Sequence, residues 1–306
     1  MEPIRIEELG KIYRKGLRQR KVVAVDDLSL AVSEGEIFGF LGPNGAGKST
    51  TIKILCDLIR PTSGKAAIMG QKVIRPEARR HMGYLPENPS YYAFLSAWEL
   101  LEFNGKIHGI AKATIRETGG KLLEMLDLMD AAGRPLRTYS KGMVQRAGIA
   151  AALIHEPQVL IFDEPMSGLD PIGRKLVMDL MLHLRARGKT VFFSTHILAD
   201  VETICDRIGV IVEGKMVYKG AMEQVRASAI QHYSLVFSAP DAKLQGISWP
   251  GKVTPKKQAD LYVLEVQPHL FEATLKLLLE SSIEINRIEP KRQRLEDLFV
   301  YLARKP

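Results

Sequence analysis

The sequence predicts an α/β fold built on a mostly parallel sheet. Three short and largely apolar runs carry this prediction, at residues 37–41, 159–162 and 191–195. Each run has the length of a strand, and a continuous apolar run is typical of strands buried on both faces of a parallel sheet. A helix-forming segment separates the second run from the third, as expected when parallel strands are joined by a helix.

Length and composition indicate a globular protein. The 306 residues allow one large domain, or a large domain with a smaller companion, and 46% hydrophobic with 25% charged residues excludes a disordered chain. The apolar runs are far shorter than the roughly 20 residues that a membrane-spanning helix needs. The amino-terminal sequence MEPIRIEELG lacks the apolar core of a secretory signal. We therefore expect a cytoplasmic protein.

The net charge of +8 arises in part from three basic clusters, which read KIYRKGLRQRK, RPEARRH and EPKRQR. Such clusters can bind nucleic acid or anionic lipid, but these lack interleaved aromatic residues, so a solvated surface is the simpler interpretation. We expect no specific nucleic-acid partner. Cys56 and Cys205 lie far apart in apolar helical patterns without metal-ligand spacing, and we expect buried thiols with no chemical role.

The strongest motif follows the first predicted strand, where the sequence reads GPNGAGKST. Gly42, four residues, Gly47, Lys48 and Ser49 have the spacing of a phosphate-binding P-loop. Glycines let backbone N–H groups converge on a phosphate, the following helix adds partial positive charge, and Lys48 reaches the outer phosphates. Ser49 can ligate Mg²⁺. A chance glycine turn is the alternative, but the flanking strand and helix favour a nucleoside triphosphate site. The residues expected at the nucleotide are Gly42, Pro43, Asn44, Gly45, Ala46, Gly47, Lys48, Ser49 and Thr50.

Two adjacent carboxylates follow the second strand, in VLIFDEP. Ligands of open α/β sheets bind beyond the carboxyl ends of the strands, so Asp163 and Glu164 are predicted beside the phosphates. Neighbouring strand residues point to opposite faces. Asp163 can then face Mg²⁺ while Glu164 addresses a water near the γ-phosphate, as a general base or as an orienting group. An acidic strand end exposed to solvent is the alternative.

The sequence SGLDP precedes a helix with marked ends: Asp170 is the predicted N-cap, Pro171 the first helical residue, and Gly188 follows the last turn. The third strand comes next, and His196 lies just beyond it. A histidine at a strand end is usually an ordinary surface residue. The position of His196 at the phosphate edge makes a γ-phosphate contact the preferred hypothesis.

The order of these motifs resembles the ATPase subunits of ATP-binding cassette (ABC) transporters, from about Ile4 to Gly220. LGPNGAGKSTT resembles their P-loop, VLIFDEP their Mg²⁺ and base strand, SGLD with Asp170 their dimer-facing loop, and STH their switch histidine. The resemblance implies ATP and Mg²⁺ as cofactors. It also implies a P-loop NTPase core whose mostly parallel sheet has an antiparallel β edge, with a helical subdomain inserted at about 91–157.

The stretch TYSKGMVQR resembles the signature loop of this family. By that resemblance, Ser140 and Gly142 complete the ATP site of the other subunit in a head-to-tail dimer. The physics agrees, because Ser140 can cap the following helix and aim its N-terminus at a γ-phosphate; an ordinary N-cap is the alternative. The family commonly has leucine, glycine and glutamine at the positions that are here Tyr139, Lys141 and Met143.

Two more residues match family positions. Tyr13 matches the aromatic residue that stacks on adenine, and a core tyrosine is the alternative. Glu87, in GYLPENP, stands where the family usually has a glutamine that ligates Mg²⁺ and senses the membrane partner. Glutamate can ligate Mg²⁺ with a full charge, but unless protonated it cannot donate the hydrogen bond of an amide.

The predicted helical region contains the aromatic stretch YYAFLSAWELLEF. Aromatic residues are enriched where a surface receives a partner, although plain helix packing explains them equally well. If this stretch receives a partner, Tyr92 and Trp98 are the candidates for contact with a membrane subunit.

After Gly220 the motifs stop, and residues 221–306 are predicted to form a small α+β domain without catalytic groups. Its expected elements are two strands in HYSLVFSA and LYVLEVQP, a helix, and a closing helix in LEDLFVYL. The tail resembles the C-terminal extension of ABC ATPases that serve drug, antibiotic and ion exporters. Its expected role is dimer support or regulation, and dimer packing by Leu295, Leu298 and Phe299 is the preferred interpretation.

The sequence therefore predicts that residues 1–220 form the ATPase domain of an ABC exporter. We expect a homodimer or a paired ATPase subunit, docked on separate integral membrane permease subunits at the inner face of the cell membrane. The alternative is a soluble ABC ATPase acting on nucleic acid or ribosomes, but the single P-loop and the lack of extended heptads disfavour it. The predicted catalytic residues are Lys48, Glu164 and His196, and the predicted metal ligands are Ser49, Asp163 and Glu87.

Overall fold

The computed structural model describes residues 1–15, 20–226, 230–244 and 246–292. The chain divides into two compact units, Met1–Met222 and Glu223–Pro306. The division lies close to the boundary expected after Gly220. In the described residues, the first unit has two sheets and the second has one, and each unit has a hydrophobic core of its own.

Strands and helices of the first unit follow the chain in this order. The strands are β1 Ile4–Lys15, β2 Arg20–Val32, β3 Ile37–Leu41, β4 Ser63–Ile68, β5 Gln71–Lys72, β6 Met82–Leu85, β7 Val159–Asp163, β8 Thr190–Thr195, β9 Arg207–Val212 and β10 Lys215–Ala221. The helices are α1 Lys48–Leu55, α2 Pro76–Arg80, α3 Ala97–Ile107, α4 Lys112–Met125, α5 Lys141–Leu153, α6 Pro171–Ala186 and α7 Leu198–Ile204, with α8 Met222–Arg226 at the division.

The larger sheet has six strands in the order β10-β9-β3-β8-β7-β6. The pairs from β9 to β6 are parallel, and β10 is antiparallel to β9 at one edge. Every residue of β3, β7 and β8 is buried, which confirms the prediction of strands inside a parallel sheet. Because the carboxyl ends of parallel strands meet at one edge, the loops after Leu41, Asp163 and Thr195 come together there.

A second, antiparallel sheet has the order β2-β1-β4-β5. Its buried residues Leu9, Leu28 and Ile68 share one core cluster with Phe40 and Phe192 of the central sheet. Buried and more exposed residues alternate along the second half of β2. Such alternation is typical of an antiparallel sheet that packs one face against the core. Gly214 lies between β9 and β10 of the larger sheet. Its N–H donates to the carbonyl oxygen of Ala46 at 2.9 Å, which attaches the P-loop to the β10 edge of that sheet.

Three helices, α3, α4 and α5, follow the edge strand β6 and precede β7, in the region where a helical subdomain is predicted. The N-cap of α3 is Ser96, which forms a capping box with Glu99.

Both predicted ends of α6 are present in the structure. Asp170 caps α6 through a 2.7 Å hydrogen bond from the Gly173 N–H, and Gly188 beyond its end has a φ of 76°. Cys56 and Cys205 are buried thiols, as expected.

The second unit is built on a four-stranded antiparallel sheet with the order β12-β13-β11-β14. Its strands are β11 Ile230–Ser238, β12 Lys256–Gln258, β13 Leu261–Val266 and β14 Glu284–Arg292, and its helices are α9 Asp241–Leu244 and α10 Pro268–Glu280. Leu235, Phe237 and Leu264 of the sheet pack with Leu278 of α10.

The two predicted strands are present as β11 and β13, but the expected number of strands is wrong, because β12 and β14 are present as well. β14 reads EINRIEPKR, and β12 reads KKQ. Both are edge strands, where charged residues and proline are favoured and an apolar pattern is weak. The predicted closing helix with Leu295, Leu298 and Phe299 lies outside the described residues.

Candidate active site

A cleft of about 500 Å³ opens at the carboxyl edge of the parallel sheet. It is lined by Pro43, Asn44, Gly45, Gly47, Lys48, Ser49 and Thr50 of the predicted P-loop, together with Ala24, Glu87, Glu164, Ser167 and His196. Residues expected at the nucleotide, at the metal and at the attacking water thus line one cavity, although they come from separate parts of the chain. Gly42 and Ala46 form the buried underside of the loop.

The loop from Gly42 to Lys48 can exist only with glycine at defined positions. Gly45 and Gly47 have φ values of 82° and 111°, in the left-handed region that favours glycine. A Cβ on Gly42 would collide with the carbonyl oxygen of Ile211, and one on Gly47 with that of Ala24. Among the described residues, no side chain caps the N-terminus of α1 at Gly47. The loop therefore has the cradle shape and the free N–H groups that a phosphate requires.

Lys48 extends back along the loop and is only 6% exposed. Its Nζ donates to the carbonyl of Gly42 at 2.7 Å and lies 3.4 Å from Oε1 of Glu164. A buried ammonium group needs such partners, because desolvation would otherwise destabilise its charge. The cation thus faces the end of the cleft where the carboxylates lie.

Glu164 lies beside both Lys48 and His196. Its Oε2 is 3.0 Å from Nδ1 of His196. The prediction placed Glu164 on the face opposite Asp163 by strand alternation, but β7 ends at Asp163 and Glu164 has a φ of 50°. A left-handed conformation of a non-glycine residue costs on the order of 1–3 kcal/mol and persists only where other contacts hold it.

Ser194, at the end of β8, provides one of those contacts. Its Oγ accepts a hydrogen bond from the Glu164 N–H at 2.9 Å and donates one to Oδ1 of Asp163 at 2.6 Å. Ser194 is fully buried. Sequence reasoning missed this residue, although its place beside the end of the carboxylate strand could have indicated it, since Asp163 pairs with Ser194 across the sheet.

Gln145 of α5 provides the other contact and was missed as well. It is 1% exposed, and its Nε2 lies 3.4 Å from the carbonyl oxygens of Glu164 and Pro165. The amide therefore attaches the helix that begins at Ser140 to the backbone of the predicted base. A polar residue at a buried helix position is the sequence signal that could have found it.

The geometry at Asp163 fits a small divalent cation. Oγ of Ser49 lies 3.2 Å from Oδ1 of Asp163, so a hydroxyl and a carboxylate face each other where α1 meets β7. The described ranges contain no group of three His, Cys, Asp or Glu that could hold a metal alone. This pattern suits Mg²⁺, which binds through one or two carboxylates together with substrate phosphates. Glu87 lines the same cleft and is exposed.

Arg174, which is partly exposed, forms an ion pair with the buried Asp200. Nη2 of Arg174 contacts both carboxylate oxygens of Asp200, at 3.1 and 3.0 Å. Burial raises the pKa of Asp200, and the guanidinium opposes that shift. The pair ties α6, which begins after Asp170, to α7, which begins after His196.

Ser140 and Gly142 lie outside the residues that line the cleft. Ser140 caps α5 as predicted, since its Oγ accepts from the Met143 N–H at 3.2 Å. A Cβ on Gly142 would lie 3.1 Å from Cδ2 of Leu169, so the signature loop and the loop before Asp170 are in contact.

Tyr13 is also outside the cleft-lining residues. It is half-buried on β1, with Nζ of Lys11 5.2 Å from its ring centroid. Stacking of this ring on adenine stays a prediction.

The family model described as ABC transporter matches residues 25–167. An uncharacterized ABC transporter ATP-binding protein of Synechocystis sp. is 46% identical over 224 residues, which are 71% of this chain and 62% of that protein. The bacitracin transport ATP-binding protein BcrA of Bacillus licheniformis is 36% identical over 284 residues, which cover 91% of this chain and 92% of BcrA. This chain belongs to the family of ABC transporter ATP-binding subunits.

The solved structure of a dimeric ATP-binding cassette, in a post-hydrolysis state bound to ADP and Pi, superposes with a TM-score of 0.67. It is 25% identical and covers 72% of this chain and 98% of its own. The predictions of the ABC family, of its P-loop NTPase fold and of an ATPase are thereby confirmed. The family assignment also favours a transporter subunit over the alternative of a soluble ABC ATPase acting on nucleic acid or ribosomes.

Within the described ranges, the ABC ATPase has no helix with the length and apolar character needed to cross a membrane.

Proposed function

We propose that this ABC ATPase binds and hydrolyses MgATP as a head-to-tail dimer and thereby drives export through separate membrane subunits at the inner face of the cell membrane. The observation that carries the proposal is the convergence of Lys48, Glu164 and His196 at one end of a glycine-lined cleft. A cation for the outer phosphates, a carboxylate for a water and an imidazole occupy positions that a terminal phosphate can reach together.

The phosphate end of the site is assigned by charge and by hydrogen-bond donors. Lys48 and the N–H groups from Gly45 to Thr50 would hold the β- and γ-phosphates. Ser49 and Asp163 would hold Mg²⁺, and Glu87, which lines the same cleft, is the third candidate ligand. When bound, Mg²⁺ neutralises charge on the phosphate oxygens. Because Ser194 also donates to Asp163, the carboxylate that faces Ser49 is kept in one orientation.

Glu164 is the proposed general base. Its backbone is held by Ser194 and Gln145, so the carboxylate can turn only about its side-chain bonds. Its carboxylate lies beside the ammonium of Lys48 and can accept a proton from an attacking water. His196, when doubly protonated, donates from Nδ1 to Glu164 and can offer its Nε2 proton to a phosphate oxygen.

The dimer is proposed because Ser140 and Gly142 do not line the cleft of their own chain. A helix N-terminus with a small residue beside it is suited to an incoming phosphate, and α5 begins at such a position. In a head-to-tail pair, Ser140 and Gly142 would reach the nucleotide of the other subunit. Asp170 would lie at the interface, because its loop contacts Gly142. Two observations support export as the direction of transport. The C-terminal tail resembles the extension of ABC ATPases that serve exporters, and BcrA, a bacitracin transport ATP-binding protein, is a relative.

The experiment that tests this function uses the full chain with Glu164→Gln. With MgATP we expect this variant to bind nucleotide, to hydrolyse it at least about 100-fold more slowly, and to form dimers detected by light scattering. The exposed Glu77→Gln variant is the control and should keep full activity. Unchanged hydrolysis in Glu164→Gln contradicts the assigned base, and a persistent monomer contradicts the dimer. For the membrane partner, the second measurement is whether the tagged chain co-purifies with an integral membrane protein.

A further inference from the structure

The basic ribbon, residues 11–15 and 20–25, consists of the end of β1 and the start of β2. It contains five Lys and Arg residues and no Asp or Glu. β4 pairs with β1 only from Ile4 to Gly10, so among the described strands β1 and β2 pair only with each other in the ribbon. The ribbon is attached at its base, where the Ile12 N–H donates to Oγ1 of Thr62 at 3.0 Å. A strongly basic pair of strands thus extends beyond the sheet.

One face of the ribbon, the Ile12 face, is exposed at all four of its positions. The register pairs Ile12 with Val23 and Arg14 with Lys21, and these four side chains share a face because neighbours along a strand point to opposite sides. Ile12 and Val23 are 38% and 50% exposed, and Arg14 and Lys21 are exposed as well. Tyr13, which is predicted to stack on adenine, lies on the other face. A nucleotide on Tyr13 would therefore leave the Ile12 face uncovered.

Like charges are paired twice in succession across the ribbon. Arg14 is the partner of Lys21, and Lys15 is the partner of Arg20. Cross-strand pairs of like charge destabilise two paired strands in water. Within the part of the chain that the structure describes, neither Arg20 nor Lys21 has an ion-pair partner. A surface that brings negative charge to the ribbon would relieve this repulsion.

The apolar pair beside these charges decides which kind of anionic surface fits. A nucleic acid offers a phosphate backbone to basic residues, but no apolar layer beneath its charges. A phospholipid membrane offers both, because anionic headgroups lie directly above the acyl chains. Ile12 and Val23 can bury their side chains at that boundary while Arg14 and Lys21 stay among the headgroups. The combination of charge and exposed aliphatic side chains therefore favours a lipid surface.

We propose that the Ile12 face binds the anionic headgroups of a phospholipid membrane. Arg14 and Lys21 contact the lipid phosphates, and Ile12 and Val23 insert at the edge of the acyl layer. This contact holds the ATPase at the membrane in addition to its docking on membrane subunits. The inference rests on the proposed location at the inner face of the membrane, but it needs neither the dimer nor the catalytic roles.

The test measures co-sedimentation of the full chain with two kinds of unilamellar vesicle, phosphatidylcholine alone and phosphatidylcholine with about one third phosphatidylglycerol. We expect at least about tenfold tighter binding to the anionic vesicles, and weaker binding as salt is raised. Arg14→Gln with Lys21→Gln should weaken that binding at least about tenfold, since each base near an anionic surface contributes about fivefold. Lys175→Gln with Arg187→Gln removes the same charges from exposed positions of α6 and should bind as the wild type does.

A second double variant separates a lipid site from a general site for polyanions. Ile12→Thr with Val23→Thr keeps the charge and the β-branched side chains that suit a strand. We expect at least about threefold weaker binding to anionic vesicles, because apolar surface is lost, and unchanged binding to a duplex DNA oligomer. ATP hydrolysis in solution should stay within about twofold of the wild type in every variant, which shows that each is folded.

Three results would overturn the inference: equal binding to both kinds of vesicle, wild-type vesicle binding by either double variant of the ribbon, or an equal loss in the α6 control. The proposed function is tested separately, by ATP hydrolysis and by co-purification with a membrane protein. A chain that passes those tests but does not bind vesicles would overturn the lipid contact alone.

Discussion

Ser194 donates a 2.6 Å hydrogen bond to Asp163 and accepts a 2.9 Å hydrogen bond from the Glu164 N–H. One buried hydroxyl thereby orients both acidic residues of the site. The proposed metal ligand and the proposed base depend on the same group of a neighbouring strand, and their relative position is set by it.

Ser194→Ala should impair hydrolysis more than nucleotide binding. The change leaves the buried Glu164 N–H without its partner, which costs about 1–3 kcal/mol of stability. It also frees Asp163, so we expect the rate to fall about 10- to 100-fold. Ser234→Ala removes another buried serine, in the second unit, and should leave the rate unchanged. Steady-state ATPase assays with thermal melting decide the matter, and a wild-type rate in Ser194→Ala would contradict the assigned role.

Lys48→Ala should abolish nucleotide binding. Its buried ammonium is the cation of the cleft that contacts both the loop carbonyl of Gly42 and the carboxylate of Glu164. Without it, the phosphates lose their main charge partner, and Glu164 loses a neutralising neighbour. Lys53→Ala, at an exposed position of the same helix, is the control. Binding of a fluorescent ATP analogue is the measurement, and normal affinity in Lys48→Ala would refute the site.

Ser140→Asp should block ATP-driven dimerisation without unfolding the helix. Aspartate caps helices as well as serine does, so α5 keeps its N-cap. The new charge would face the γ-phosphate of the other subunit and repel it. Ser140→Asn is the matched control, because asparagine is an equally good cap without the charge. We expect Ser140→Asn to dimerise in the Glu164→Gln background and Ser140→Asp to remain monomeric. Dimers of both variants would show that Ser140 is only a cap.

Stability should fall as the solution is acidified, in part because of His155. Its Nε2 lies 3.1 Å from the carbonyl of Met82, and its ring stacks on His108 with centroids 3.7 Å apart. Burial lowers the pKa of His155 from 6.5 to about 4, with a further contribution from His108. Between these two values the unfolded chain binds a proton that the native protein does not, so stability decreases as pH falls through that window.

Melting temperatures at about pH 7 and about pH 5 test this effect. His155→Gln should reduce the loss between the two, because the titrating group is removed. His183→Gln, at an exposed position, should keep the loss unchanged. An equal loss in wild type and His155→Gln would contradict the assignment.

Much of the site could be predicted because its signals are local. The turn at Gly47, the cap at Asp170 and the two carboxylates at the end of β7 depend on residue types at fixed short spacings, and the structure has each of them where the spacing indicates. Edge strands were missed for the opposite reason. β14 is charged and contains Pro290, so no apolar period distinguishes it from a loop.

The sequence by itself determined which chemistry is available here: a glycine loop for phosphate, a lysine, two carboxylates and a histidine at successive strand ends. Only the tertiary structure decided which other side chains hold these groups in place. The Ser194 hydroxyl accepts from the Glu164 N–H, and the Gln145 amide lies beside the Glu164 carbonyl. Tyr91 packs against Gly148, and all three contacts join residues far apart in the chain. Such contacts arise from the packing of whole strands and helices against one another, and no short pattern of residues encodes that packing.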